Sequence, residues 1–179
     1  DDKLLHIARE AVDMGVELFV LDDGWFGKRD GDCSSLGDWT VNRAKLKRGL
    51  KGLSEEIHRM GLQFGLWIEP EMVSEDSDLY RQHPDWCLQT PKRPLARGRY
   101  QLVLDLSRKD VCDYIISSIN TILDETKIEY VKWDMNRFIT ESWSSIEEKE
   151  KQGEIYHRYI LGLYYLMDRI ILTHPDILF

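Results

Sequence analysis

Cysteine is scarce in this chain: Cys33, Cys87 and Cys112 are three among 179 residues, widely spaced and without a C-x-x-C pair. An odd, scattered set cannot build the disulfide framework of a small secreted domain, and it implies a reducing, cytoplasmic setting. No apolar run approaches the roughly 20 residues that cross a bilayer, so no membrane partner is expected. The opening Asp1-Asp2-Lys3 lacks the basic-then-apolar layout of a signal peptide, and the piece is expected to be soluble. Cations are outnumbered, with 24 Lys and Arg against 32 Asp and Glu, a formal charge of -8 and a pI near 5.2. Phosphate binding needs clustered Lys and Arg to displace counterions, which excludes nucleic acid as a partner.

Histidine is equally uninformative about metals. His6, His58 and His157 fall in helical stretches, and His83 and His174 precede prolines, so no His-x-His pair ends a strand. A metal-dependent hydrolase is not expected. Internal repeats, low-complexity segments and dividing linkers are absent too.

What is present is an ordinary globular composition, 42% apolar and 31% charged, long enough for one domain, residues 1–179, with a real core. Leu4 to Val12 repeats apolar residues at helical spacing, with Asp1 and Asp2 as candidate caps and a stop at Gly15. Leu18-Phe19-Val20-Leu21 then reads as a strand buried on both faces. The alternation continues with a helix near Leu53 to Met60, a strand Phe64 to Ile68, a helical stretch from Asp78 to His83 and a strand Gln101 to Asp105. Ser107 and Asp110 resemble a capping box before a helix whose Val111, Ile115, Ile119 and Ile122 share a face. A strand Tyr130 to Trp133 follows, then a helix from about Ile146 to Leu172, apolar on most faces and therefore expected to be buried, then Ile177-Leu178-Phe179.

Five strand candidates alternating with helices give about 36 residues per unit, the spacing of a parallel α/β barrel. The expected fold class is α/β, a partial (β/α)8 TIM barrel. A complete barrel takes about 250 residues, so the chain covers about five of eight βα units and is truncated at both ends. A doubly wound sheet is the alternative, but its Gly-rich fingerprint is replaced by Asp22-Asp23-Gly24-Trp25-Phe26-Gly27.

Sites in parallel α/β folds form at the carboxyl ends of strands. Here those ends are acidic: Asp22-Asp23, Glu69-Pro70-Glu71, Asp105 and Asp134. Carboxylates around one cleft suit glycosidic chemistry, although a single strand-end Asp as often caps the next helix. For Asp105, next to Ser107, a structural role is favoured. Strand alternation puts Lys132 on the face of Asp134, where a cation would keep that carboxylate ionised. Trp67 shares a face with Glu69, as either a sugar-holding wall or core filler. Lys132 as a Schiff-base nucleophile is disfavoured, because Asp134 would keep it charged.

The blocks Phe19-Val-Leu-Asp-Asp-Gly-Trp-Phe26, Gly37-Asp-Trp39, Gly65-Leu-Trp-Ile-Glu-Pro-Glu71, Arg99-Tyr-Gln-Leu-Val-Leu-Asp105, Val131-Lys-Trp-Asp-Met-Asn136 and Tyr156-His-Arg-Tyr-Ile-Leu161 occur in this order. Together they resemble the bacterial, melibiase-like α-galactosidases of glycoside hydrolase family thirty-six. The resemblance implies a retaining glycoside hydrolase that removes terminal α-galactosyl units from oligosaccharides such as raffinose and melibiose. Asp134 would be the nucleophile of a covalent glycosyl-enzyme intermediate, and Asp22, Asp23, Trp67, Arg99, Lys132 and Asn136 would contact the sugar. No metal or organic cofactor is implied, and family members are often tetrameric. The family's acid/base lies downstream of the strand beginning at Ile177, so these 179 residues alone are expected to turn over substrate negligibly. An α-N-acetylgalactosaminidase, a galactosyl-transferring relative and a catalytically silent sugar-binding fragment are the alternatives.

Overall fold

A computed structural model describes residues 1–179. The helix α1 (Asp2–Asp13) is followed by β1 (Leu18–Leu21), α2 (Gly49–Arg59), β2 (Gln63–Ile68) and a short β3 (Met72–Val73). Then come α3 (Asp78–Gln82), β4 (Leu102–Val103), α4 (Lys109–Glu125), β5 (Tyr130–Trp133) and α5 (Ile155–Thr173). This is a mixed α/β structure. Its centre is a parallel sheet of three strands in the order β1-β2-β5.

β2 lies in the middle, and every residue from Phe64 to Ile68 is buried. β1 has only β2 beside it, so Leu18, Phe19 and Val20 stay partly exposed rather than buried on both faces. Beyond β5, Leu178 forms one parallel bridge to Tyr130, the beginning of the strand expected at Ile177–Phe179. The Gln101–Asp105 candidate departs from the parallel plan. Only Leu102 and Val103 form a strand, and they pair antiparallel with β3. A chain that leaves β2 at Glu69 and reverses within a few residues offers Met72–Val73 as the nearer edge, so β4 is claimed there.

Helix boundaries also shift where caps were read. Asp1 makes no side-chain cap bond to α1. Ser107 does not cap α4, because its hydroxyl donates instead to Asp105 Oδ1 at 2.5 Å. The long last helix is in fact a 3₁₀ segment, Lys149–Glu154, followed by α5. Only one face of α5 packs against α4, burying Ile155, Tyr159, Leu166 and Ile170. Leu161, Tyr164 and Leu172 stand exposed, contrary to the burial expected from their composition.

The amino ends of the strands are pinned by polar bonds. Glu129 Oε2 accepts the Phe64 N–H at 2.9 Å and lies 2.9 Å from His58 Nε2, while the Ser54 hydroxyl donates to the Lys127 carbonyl at 2.6 Å. Burial works to raise the Glu129 pKa, but the Phe64 amide and His58 outweigh it and hold the carboxyl below its usual value. A depressed folded-state pKa stabilises above the unfolded value and is lost as pH falls through the folded one. Glu129→Gln is therefore expected to cost about 1–2 kcal/mol at neutral pH. In thermal unfolding across pH, the gap to the unmodified protein should close below pH 4; a gap constant with pH would refute the assignment.

Candidate functional site

The carboxyl edge of the parallel sheet brings Asp22, Glu69 and Asp134 to the ends of β1, β2 and β5. The Asp134 amide still donates to the Ile68 carbonyl at 2.8 Å, so its Cα is held in the ladder and only its side chain leaves it. Oδ2 of Asp134 accepts from Trp67 Nε1 at 3.0 Å and from Asn136 Nδ2 at 2.7 Å, and Oδ1 accepts the Met135 N–H at 3.0 Å. An ionised carboxylate has about four acceptor positions, so one lone pair, on Oδ1, is left for other chemistry.

Partial burial pushes the Asp134 pKa up. The hydrogen bonds from Trp67, Asn136 and Met135, with a smaller contribution from the Lys132 charge, overcome that and hold the carboxyl below its ordinary value. The cation expected beside Asp134 is thus a secondary influence. Lys132 Nζ reaches instead to Asp22 Oδ2 at 2.9 Å, and this bond raises the lysine's own pKa.

Trp67 is neither an open wall nor mere filler. Its ring is 2% exposed and stacks over Phe26 at 6.3 Å, while its indole N–H serves Asp134. Trp25 donates to the Trp67 carbonyl at 2.9 Å, and Trp39 packs on Phe26 and Trp25, so two of the aromatic blocks converge behind β2. Aromatic rings buried in this way limit the freedom of a hydrogen-bonding partner at the site.

Asp23 is gripped by Arg29, whose Nε and Nη2 reach its carboxylate at 3.0 and 2.8 Å. Arg29 is 4% exposed and also donates to the Ser34 carbonyl. Nothing in its surroundings, Lys28-Arg29-Asp30, distinguishes it from a solvated loop charge, and only the fold turns it inward. Arg99 is not bonded into the carboxylate cluster. It sits exposed with Tyr100 at the tip of a tight turn closed by mutual Gly98–Gln101 backbone bonds. Both tip residues have positive φ, 52° and 60°, the geometry of a type I′ turn that side-chain-bearing residues rarely adopt.

Asp105 does not join the mouth. It is fully buried, and its Oδ1 is occupied by the Ser107 amide and hydroxyl, the structural role its neighbour suggested. Glu69 and Glu71 are also buried. Glu71 accepts from Tyr159 Oη at 2.5 Å and from Trp133 Nε1 at 3.2 Å, and burial raises its pKa. The Tyr156–Leu161 block thereby finds its place, with Tyr159 of α5 and Trp133 of β5 meeting on Glu71.

An open cleft of about 530 Å³ beside Asp134 is lined by Met135, Asn136, Arg137, Phe138, Ile139 and Tyr156. A second hollow of 350 Å³ lies between α4 and α5, and a third, of 240 Å³, is lined by Asp38, Asp76 and Asp78, where Asp38 is already taken up by the amides of Asp78 and Leu79. The candidate chemistry is at the sheet edge, where a low-pKa carboxylate with a free lone pair is flanked by donors and acceptors suited to hydroxyl groups.

The family model described as Melibiase matches residues 1–179. The chain is 60% identical, over all of its length, to the alpha-galactosidase AgaA of Geobacillus stearothermophilus, and 49% identical to the alpha-galactosidase Mel36A of Lactobacillus acidophilus. It spans 25% and 24% of those proteins. Among solved structures, a variant of AgaA in complex with raffinose superposes with a TM-score of 0.96 at 59% identity, covering 98% of this chain and 24% of that one. Another AgaA variant, in complex with stachyose, also matches at 0.96 and 59%, over 99% of this chain and 25% of the other.

Proposed function

This chain belongs to the melibiase family, and from that premise we propose that it forms the nucleophile-bearing part of a retaining α-galactosidase acting on raffinose-type oligosaccharides. The observation that carries the reading is Asp134. Its carboxylate is kept ionised by Trp67, Asn136 and Met135 and has one lone pair left. In the proposed reaction Oδ1 attacks the anomeric carbon of a terminal α-galactosyl unit as the glycosidic oxygen departs with a proton from an acid. Water then releases the sugar from the resulting ester, giving retention of configuration.

Asp22, with Lys132 beside it, and Asp23, held by Arg29, are assigned to reading galactose hydroxyls. Hydrogen-bonded recognition of this kind rejects an epimer, because a misplaced hydroxyl leaves these partners unsatisfied once the sugar has covered them. Trp67 and Asn136 act on the nucleophile, and Arg99, at the tip of its turn, is assigned a sugar contact. The proton donor is assigned outside the 179 residues. Of the strand-end carboxylates, Asp22 and Asp23 are paired with cations, and Glu69 and Glu71 are buried with their oxygens already hydrogen-bonded. The isolated chain is accordingly expected to be inactive.

The three parallel strands and the Leu178 bridge are read as consecutive staves of a (β/α)8 barrel, a reading supported by the acidic residues gathered at their carboxyl ends. Three free cysteines suit a cytoplasmic location.

The test is product configuration. The full-length protein incubated with raffinose or an aryl α-galactoside and followed by proton NMR should release α-galactose first, with the β form appearing only by mutarotation. Initial β-galactose would overturn the retaining assignment. Absence of hydrolysis, or a strong preference for α-N-acetylgalactosaminides or for transfer to an acceptor sugar, would overturn the substrate assignment.

A further inference from the structure

Glu69 is the residue on which three segments of the site meet. It follows the last residue of β2, is 1% exposed, and its partners are amides rather than a cation. Oε1 accepts the backbone N–H of Asn136 at 2.7 Å, and Oε2 accepts Gln101 Nε2 at 3.0 Å. Asn136 in turn donates its side-chain amide to Asp134 Oδ2. Gln101 closes the strained Arg99–Tyr100 turn through its backbone, and Arg137 Nη1 donates to the carbonyls of both Ala96 and Gln101, at 2.6 and 2.7 Å. The bonds Glu69–Asn136, Arg137–Gln101 and Gln101–Glu69 make a closed polar ring, since Asn136 and Arg137 are neighbours in the chain.

A buried carboxylate without a countercharge is costly. Burial raises the Glu69 pKa, the nearby Asp134 charge adds to that, and the bonds from Asn136 and Gln101 offset the rise only in part, so a carboxylate here needs its acceptors used. They are used on both sides. We propose that Glu69 is a positioning residue, which by accepting the Asn136 amide and the Gln101 side chain holds Asn136 onto Asp134 Oδ2 and ties the nucleophile's loop to the Arg99 turn. The inference rests on the assignment of Asp134 as nucleophile. With Oδ2 fixed by two donors, Oδ1 is the oxygen aimed at substrate, and the same donors are in place for the carbonyl oxygen of the glycosyl ester. Preorganisation of this kind is where small displacements become large rate losses.

The experiment uses Glu69→Gln in the full-length protein. Glutamine keeps an acceptor for the Asn136 N–H but puts a donor where Oε2 stood, so Gln101 loses its present bond and can regain one only by turning its amide to offer Oε1, which shifts the tie between the two loops. The kcat on an aryl α-galactoside is expected to fall about tenfold, as for a catalytic group displaced by a fraction of an ångström, with KM nearly unchanged. The double variant Glu69→Gln/Asn136→Ala should be no more than about twofold slower than Asn136→Ala alone, since both changes remove the same contact. A folded Glu69→Gln with undiminished kcat, or losses that multiply in the double variant, would overturn the proposal. Should Glu69→Gln not fold, Gln101→Met decides, as it removes only one of the two donors. A drop of about tenfold in its kcat would support the role and an unchanged kcat would reject it. Asp134→Gly assayed with azide separates the two readings. If it forms β-galactosyl azide while Glu69→Gln is fully active, only the positioning role fails; if it forms none, the nucleophile assignment itself fails.

Discussion

Asp134→Asn in the full-length protein is expected to lower kcat on an aryl α-galactoside by at least about a thousandfold, because removing a covalent nucleophile removes the step rather than tuning it. The asparagine is nearly isosteric and still accepts through its oxygen, so Trp67 and Asn136 can keep one partner and the fold should survive. Substrate affinity, measured by equilibrium binding of raffinose, should change little, since Asp22, Asp23 and Lys132 are untouched. Asp134→Gly goes further, opening space where the carboxylate stood. Azide entering there from the face opposite the leaving group should yield the β-configured galactosyl azide. Undiminished turnover in the Asn variant would sink the assignment outright.

The second large effect concerns stability. Gly162 lies where α5 crosses the end of β4's following segment, and a Cβ placed on it would stand 1.8 Å from the Leu106 carbonyl oxygen and 2.7 Å from its carbon. The obstacle is backbone, so no rotamer change relieves it and α5 must lift. Tyr159, three residues earlier on the same helix, would then be drawn off Glu71, leaving a buried carboxylate short of a partner. Gly162→Ala is expected to destabilise by about 2–4 kcal/mol, at or above the upper end for overpacked sites. Gly153→Ala serves as the control, because nothing lies within 4 Å of its added methyl. Equal unfolding midpoints for the two variants would show that the helix contact has more slack than the structure gives it.

Much of the architecture was legible because it depends on period and chemistry alone. The apolar run of β2, the one-faced pattern of α4 and the strand running into Asp134 are local signals, and all three elements formed where their residues placed them. The carboxylates at strand ends were legible for the same reason, since parallel strands must share a carboxyl edge. Pairing partners were not. Gln101 to Asp105 reads as one more parallel strand, yet β4 pairs antiparallel with β3, a choice settled by which edge a returning chain meets first. Exposure failed similarly on α5, where apolar residues on most faces found a neighbour on only one.

The site divides along the same line. Asp134, Lys132, Trp67 and Asn136 could be singled out from residue type, strand face and family resemblance. Their couplings could not: Lys132 faced Asp22, Trp67 gave its N–H to Asp134, and Arg29 turned inward to hold Asp23. Amino-acid sequence by itself determined which strands end in carboxylates and which residues are fit to carry the chemistry, because side-chain type and alternation are properties of the local chain. Tertiary structure alone decided which of those carboxylates stays ionised, which is buried as a support and which donor faces which acceptor. Such bonds join residues from 6 to 110 positions apart, and their energies depend on burial and on distances of a few ångströms that no local pattern encodes.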